Sequence, residues 1–183
     1  MNLSRYDNSS FIVGASLFTQ IAWYLVSWTI VSGSLPGSNW RAVLLRAFGA
    51  KVGSGCVIKP NVKVKYPWNL EIGDHSWIGE GAWIDNLAEV KIGSNVCVSQ
   101  GCYICTGSHD WTSASFDLVV SPVTVEDHAW LCAMSSVSPG VTVGTGAVLG
   151  FAGSAVDSLL PWSVYSGVPA VRRYARKHGL ADS

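Results

Sequence analysis

The chain has 183 residues, 49% of them hydrophobic and only 13% charged, and its 12 basic and 12 acidic side chains balance. That length suits one ordinary domain with a sizeable core. No basic block offers an electrostatic footprint for nucleic acid, so phosphate-driven binding is excluded as a function class.

From the N-terminus, the first feature is Phe11 to Val31, 21 residues without a charge. A helix of that length reaches across a bilayer. Ser16, Gln20 and Ser27 fall on one stripe at helical spacing, with Thr19 beside it, leaving a broad apolar face. Three placements stay open for this helix: packed on its own protein or its oligomer mates, lying on a membrane surface, or spanning as a signal anchor. If it spans, Arg41, Arg46 and Lys51 just after it favour a cytoplasmic body. A cleavable signal peptide is disfavoured because Asp7 balances Arg5. The five cysteines show no paired spacing, which points to a reducing, cytoplasmic setting without disulfides. Leu35-Pro36-Gly37-Ser38 predicts a turn, and Trp40 to Phe48 a short helix.

Residues 52–160 carry an internal repeat of six. Fifteen units start at Val52, Ile58, Val64, Ile72, Ile78, Ile84, Ile92, Val98, Ile104, Val125, Leu131, Val137, Val143, Leu149 and Ala155, and 14 of the 15 open with Val, Ile or Leu. Chance would fill roughly four such openings. Such a repeat predicts a parallel β-helix in which three units close one triangular coil. Each aliphatic opener points inward and stacks on its equivalents above and below. The fifth position is mostly small (Ser76, Ala82, Ala88, Cys102, Ser108, Ala129, Ser135) and is expected to point inward near a corner. Glycine at the second position is expected to mark backbone that other residues adopt poorly. Two extra residues stand at Leu70-Glu71 and at Val90-Lys91.

The largest break is an excursion over 110–124, and His109 sits at its root. Long excursions from a regular solenoid are often functional. A neutral imidazole there can take a proton from a hydroxyl as acyl transfer begins. A surface histidine at a loop corner is the plain alternative. Cys105 reads as a strand residue, and no Cys-His cluster with metal-ligand spacing accompanies it, so no metal site is expected. His75 and His128, at the fourth position of their units, read as solvent-facing turns. Trp77, Trp83 and Trp130 each end a unit, where they are expected to pack against other subunits or stack on a ligand. After Pro161-Trp162 and Gly167-Val168-Pro169, the tail over 161–183 reads as a basic helix carrying Arg172, Arg173, Arg176 and Lys177.

Three runs carry a family resemblance: Lys65-Tyr66-Pro67-Trp68-Asn69-Leu70-Glu71-Ile72-Gly73-Asp74, Trp83-Ile84-Asp85-Asn86-Leu87-Ala88, and Cys105-Thr106-Gly107-Ser108-His109-Asp110. They resemble the colanic-acid O-acetyltransferase group of the hexapeptide-repeat acyltransferases, which also include the maltose, galactoside and streptogramin acetyltransferases. The resemblance runs from Tyr6-Asp7-Asn8-Ser9 to Gly167-Val168-Pro169-Ala170. It implies an all-β fold, a left-handed parallel β-helix, to which the N-terminal helical segment (1–51) and the short C-terminal helix read from the residues are joined. It further implies a homotrimer with active sites between subunits, acetyl-CoA as co-substrate and no metal. His109 matches the family's general base, deprotonating a sugar hydroxyl that attacks the thioester directly. The 110–124 excursion would reach toward the neighbouring subunit and wall the site. Asp85, Asn86, Ser108 and Asp110 fall where the acceptor is bound; the resemblance also lets Asp85 and Asn86 steady the histidine, and the pair reads equally as turn-forming.

On the donor side the resemblance implies Trp130, Cys132, Ala133, Gly150, Phe151, Pro169, Arg172 and Arg173. Two positions depart from the family pattern. Cys132 stands where the family commonly has glycine, and Val156-Asp157 replaces a Thr-Lys pair that holds CoA phosphates. Arg172, Arg173 and Arg176 are expected either to compensate or to form a solvated basic face. The leading expectation is an O-acetyltransferase acting on a cell-surface polysaccharide precursor at the inner face of the cytoplasmic membrane. A β-helix scaffold without donor binding, and an acetyltransferase for an antibiotic or free sugar, are the competing readings.

Overall fold

The computed structural model describes residues 2–31 and 33–177. Its body is a parallel β-solenoid of triangular section. The first face is a five-stranded sheet running from Lys51–Val52 to Thr142–Val143, and the third runs from Lys63–Val64 to Ser154–Ala155. The second face carries seven strands, because two extra strands extend it beyond Val148–Leu149. All fifteen aliphatic and small openers, from Val52 to Ala155, are buried and form one continuous core. Each fully buried Val, Ile or Leu contributes about 1.5–3 kcal/mol of burial free energy, and stacking spreads that stabilisation along the axis.

The inward partner of each opener is the residue two places before it. In most units that is the fifth position, as with Ser76, Ala82, Cys102, Ala129 and Ser135. Where extra residues intervene, the inward place passes to Leu70, Val90 and Val123. Ala88 and Ser108, expected to point inward, are only half-buried for that reason. Glycine at the second position serves space rather than backbone angle. A Cβ on Gly79 would lie 2.5 Å from the Gln100 backbone nitrogen in the next coil. The left-handed backbone falls instead at the fourth position, where Asn61, His75, Asn95, His128, Met134 and Ala152 all have φ between 52° and 61°. His75 and His128 are therefore corner residues.

At the N-terminus, α1 (Leu17–Val26) is capped by Ser16 Oγ, which accepts from the Thr19 amide at 3.2 Å, and it runs on into a π turn over Ser27–Val31. Trp23 is its buried anchor: the indole N–H donates to the Val64 and Lys65 carbonyls at 3.1 and 3.0 Å. This seats α1 at the corner between the third and first faces. No helix among the described residues is long and apolar enough to cross a membrane. The second helix, α2 (Asn39–Ala47), lies within a residue of its expected bounds at each end. Its Arg41 is fully buried and gathers the carbonyls of Val31, Gly33, Leu35 and Gly37, which fixes the loop between the two helices.

The C-terminal segment corrects an expectation. Instead of a basic helix, Val171–Ala175 is a strand, antiparallel to Ser163–Ser166 at the end of the second face. A short polar helix is marginal alone, whereas the free sheet edge offers a full set of backbone partners. The end of the expected helix and tail, 178–183 with His178, lies outside the described residues.

Candidate active site

The excursion is a β-hairpin. Gly107–His109 pairs antiparallel with Leu118–Val120, so His109 lies on its first strand, opposite Leu118. The Ser121 amide donates to the Thr106 carbonyl at 2.9 Å and closes the hairpin base, and Val123 re-enters the coil opposite Val90. His109 Nδ1 lies 2.9 Å from the Phe116 carbonyl. A carbonyl only accepts, so Nδ1 carries the proton and the neutral ring keeps its lone pair on Nε2. The Phe116 ring stacks on the imidazole at 4.2 Å and 3°, and Tyr6 meets it edge-on at 5.5 Å. Phe116 holds φ 56°, a left-handed conformation costly for an aromatic residue.

Ser108 pairs across the hairpin with Val119. Asp110 turns toward the hairpin tip, where its Oδ1 accepts from the Thr112 hydroxyl at 2.6 Å and amide at 2.8 Å. Those two bonds hold its carboxylate below the usual aspartate range.

Asp85 lies one coil earlier, in register with Cys105. Lys65 Nζ stands 3.0 Å from Asp85 Oδ1, and the Tyr103 hydroxyl donates to Oδ2 at 3.1 Å. Asp85 Oδ1 has no hydrogen bond of good geometry, so the lysine serves it as an ion pair. Burial, helped by Cys105 and Asp85, pushes the Tyr103 phenol far above its ordinary pKa and keeps it a donor. Asn86 corrects an expectation. It is fully buried, with Oδ1 accepting from the Tyr66 amide at 3.0 Å and Nδ2 donating to the Tyr66 carbonyl at 2.6 Å. Both polar ends are spent on joining two coils, so Asn86 offers none to an acceptor.

The donor candidates assemble elsewhere. Cys132 and Gly150 follow equivalent strands of the second face, and their amides donate to the Leu149 and Tyr165 carbonyls at 2.8 Å each. Ala133 is tied to the coil below through the Ala152 amide at 3.0 Å. Burial raises the Cys132 thiol, so it stays protonated and serves as a small neutral side chain. Phe151 is exposed, and Trp130 Nε1 donates to Ser99 Oγ at 2.9 Å. Pro169 lies in the exposed turn before the last strand, from which Arg172 and Arg173 reach the Ser163 and Ser166 hydroxyls. Val156 and Asp157 are exposed as well. Arg176 is spent on the His128 and Gly146 carbonyls at 2.9 Å.

The candidate residues thus sort onto two edges of the prism. Asp85, Ser108, His109 and Asp110 belong to the corner between the third and first faces, which also seats α1. Trp130, Cys132, Ala133, Gly150, Phe151 and Pro169 gather along the corner between the second and third faces. One face separates the two sets within a chain. Sequence reasoning missed Tyr6 and Phe116 beside His109, and Lys65 and Tyr103 on Asp85. Lys65 did stand in a run that carried the resemblance and Tyr6 where the resemblance begins, whereas nothing in their spacing joined them to Asp85 or His109. Among the described residues no three metal-ligating side chains converge.

No family model matches the chain. WcaF of Escherichia coli K12, named as a colanic acid biosynthesis acetyltransferase, is 43% identical over 150 residues, which cover 81% of this chain and 82% of that protein. Among solved structures, a hexapeptide-repeat acetyltransferase of Vibrio cholerae in complex with acetyl-CoA matches with TM-score 0.81 at 21% identity, covering 90% of this chain and 92% of that one. A galactoside acetyltransferase in complex with coenzyme A matches with TM-score 0.80 at 20% identity, covering 90% and 86%. These likenesses fix the fold as the left-handed parallel β-helix of hexapeptide-repeat proteins.

Proposed function

The chain belongs to the colanic acid biosynthesis acetyltransferases of the hexapeptide-repeat type, and from that premise we propose that it moves acetyl from acetyl-CoA to a sugar hydroxyl of a cell-surface polysaccharide precursor. His109 is the general base. Its Nε2 takes the acceptor proton as the hydroxyl oxygen attacks the thioester carbonyl. The imidazolium then returns that proton to the departing CoA sulfur, leaving an O-acetyl ester and free CoA. The observation that carries this reading is the 2.9 Å contact from Nδ1 to the Phe116 carbonyl, which presents Nε2 as the basic nitrogen. Acetyl-CoA supplies an activated acyl group. The small residues Cys132, Ala133 and Gly150 leave room for its pantetheine arm along their corner, and exposed Arg172 and Arg173 favour its phosphates.

The acceptor set and donor set lie on different corners of one chain. A complete site therefore takes its two halves from neighbouring subunits, which supports a homotrimer with sites in its clefts. The hairpin beyond His109 walls the site against the neighbour. On the acceptor corner, Asp85, fixed by Lys65 and Tyr103, and Ser108 face the sugar, while Asp110 shapes the hairpin tip beside them. The same corner seats α1, whose exposed Leu17, Phe18, Ile21, Tyr24, Leu25 and Trp28 form one apolar stripe. Laid on the inner face of the cytoplasmic membrane, that stripe brings a membrane-borne acceptor to His109.

Calorimetric titration of acetyl-CoA into the parent and into His109→Ala tests the reading. Both proteins are expected to bind, while turnover on sugar acceptors falls about 10²–10⁴-fold in the variant. Absence of binding to the parent would leave the scaffold reading in front.

A further inference from the structure

The reading of His109 as base leaves open what holds a lone imidazole still on a projecting hairpin. We propose that Tyr6 is a positioning residue for His109, and that residues 2–6 act as a latch that holds the hairpin's histidine in its working orientation. The inference rests on the assignment of His109 above.

Three contacts converge on one ring. Phe116 covers one face of the imidazole in a parallel stack at 4.2 Å, and the Phe116 carbonyl takes the Nδ1 proton at 2.9 Å. Both depend on the tip of the hairpin keeping its shape, and at Phe116 that shape includes a left-handed backbone with φ 56°. A strained conformation persists only where its surroundings over-determine it, so a ring held through one such residue needs a further restraint. Tyr6 supplies the restraint from outside. It meets the imidazole at 5.5 Å with the rings inclined at 62°, an edge contact that favours one setting of the ring plane.

The N-terminal segment is shaped to deliver that contact. Leu3–Arg5 forms a single 3₁₀ turn, capped by the Asn2 side chain, which accepts from the Ser4 amide at 3.1 Å and hydroxyl at 2.7 Å. The Tyr6 amide closes the turn on the Leu3 carbonyl at 3.1 Å. The Asn2 amide donates to the Ala114 carbonyl at 2.9 Å, which ties the segment to the hairpin tip directly. The latch therefore has two fastenings, one to the backbone of the tip and one to the catalytic ring. The aromatic body of Tyr6 makes the contact, so its hydroxyl is dispensable for positioning.

The experiment uses the full chain with Tyr6→Ala and Tyr6→Phe, each alone and combined with His109→Ala. We expect Tyr6→Ala to lower kcat about tenfold with the KM for acetyl-CoA unchanged, because a mispositioned base costs the chemical step and not donor binding. Tyr6→Phe should keep parental turnover, and Tyr6→Ala should cost nothing further in the His109→Ala background. Parental kcat in Tyr6→Ala, a change confined to KM, or an equal loss in both backgrounds would overturn the proposal. A second measurement stands apart from turnover. Long-range proton–nitrogen spectra of the imidazole should show one Nδ1-protonated tautomer in the parent and a tautomer mixture in Tyr6→Ala. Should His109→Ala keep full turnover, the base assignment fails by itself. The spectra then decide the latch alone, and identical spectra in parent and Tyr6→Ala would overturn it.

Discussion

Asp74 shows how single side chains fasten one coil to the next. Its Oδ1 accepts from the Ser54 amide at 2.6 Å and hydroxyl at 3.0 Å, and its own amide donates to Ser94 Oγ at 3.1 Å. The bonds from Ser54 hold the carboxylate below its ordinary value. Because the folded group has a lower pKa than the unfolded one, about 3.9 for a free aspartate, its contribution to stability is present above that value. It is lost as pH falls through the folded value. Denaturant unfolding from neutral pH down to about pH 3 should therefore show Asp74→Asn less stable than the parent at neutral pH. The two curves should converge in acid, and a constant gap at every pH would sink the assignment. Asn86 performs the same fastening with an amide and no charge. Its motif marked it for ligand binding, yet side-chain burial decides such roles, and burial at a corner depends on coils that lie 20 residues apart in the chain.

Among the elements, the repeat was legible because its physics is local: an inward aliphatic every six residues leaves its own signature. The inserts at Leu70 and Val90 shifted the inward partner, since the solenoid keeps opener stacked on opener and lets the corner absorb the difference. The last segment was misread because its residues do not decide its form. A free sheet edge did, and no window over Val171–Ala175 reports that edge. For α1 the pattern predicted an amphipathic helix, and Trp23 on two carbonyls sets which side faces the body. The exposed side carries the prediction for this element. Co-sedimentation with vesicles of mixed anionic and neutral lipid should capture the parent, and Leu17→Ser with Phe18→Ser should release it with the β-helix intact. If the parent stays in solution, or if the variants dissociate an oligomer instead, the stripe serves subunit contact rather than lipid.

On the scale of the molecule, the prism both separates and repeats its chemistry. One corner carries His109 and its hairpin, another carries Cys132, Ala133 and Gly150, and the third face keeps them apart. Short motifs nominated the candidates of both sets. Their separation was not legible, because a motif names residues without saying which corner of a coil each one occupies. Only the order of the three faces shows that one chain places the two candidate sets on different corners. Closed rotational symmetry is the simple way to bring unlike corners together, and under the proposed function every subunit would then offer His109 to one neighbour and its Cys132 corner to the other.

Subunit mixing tests that claim most directly. His109→Ala and Cys132→Trp each disable one half-site, and circular dichroism would establish that both variants keep the β-helix. Co-refolded in equal amounts, they should recover about a quarter of parental turnover, the share of interfaces that join two intact halves when subunits assort at random. Turnover no higher than that of the variants kept apart would contradict a site shared between subunits.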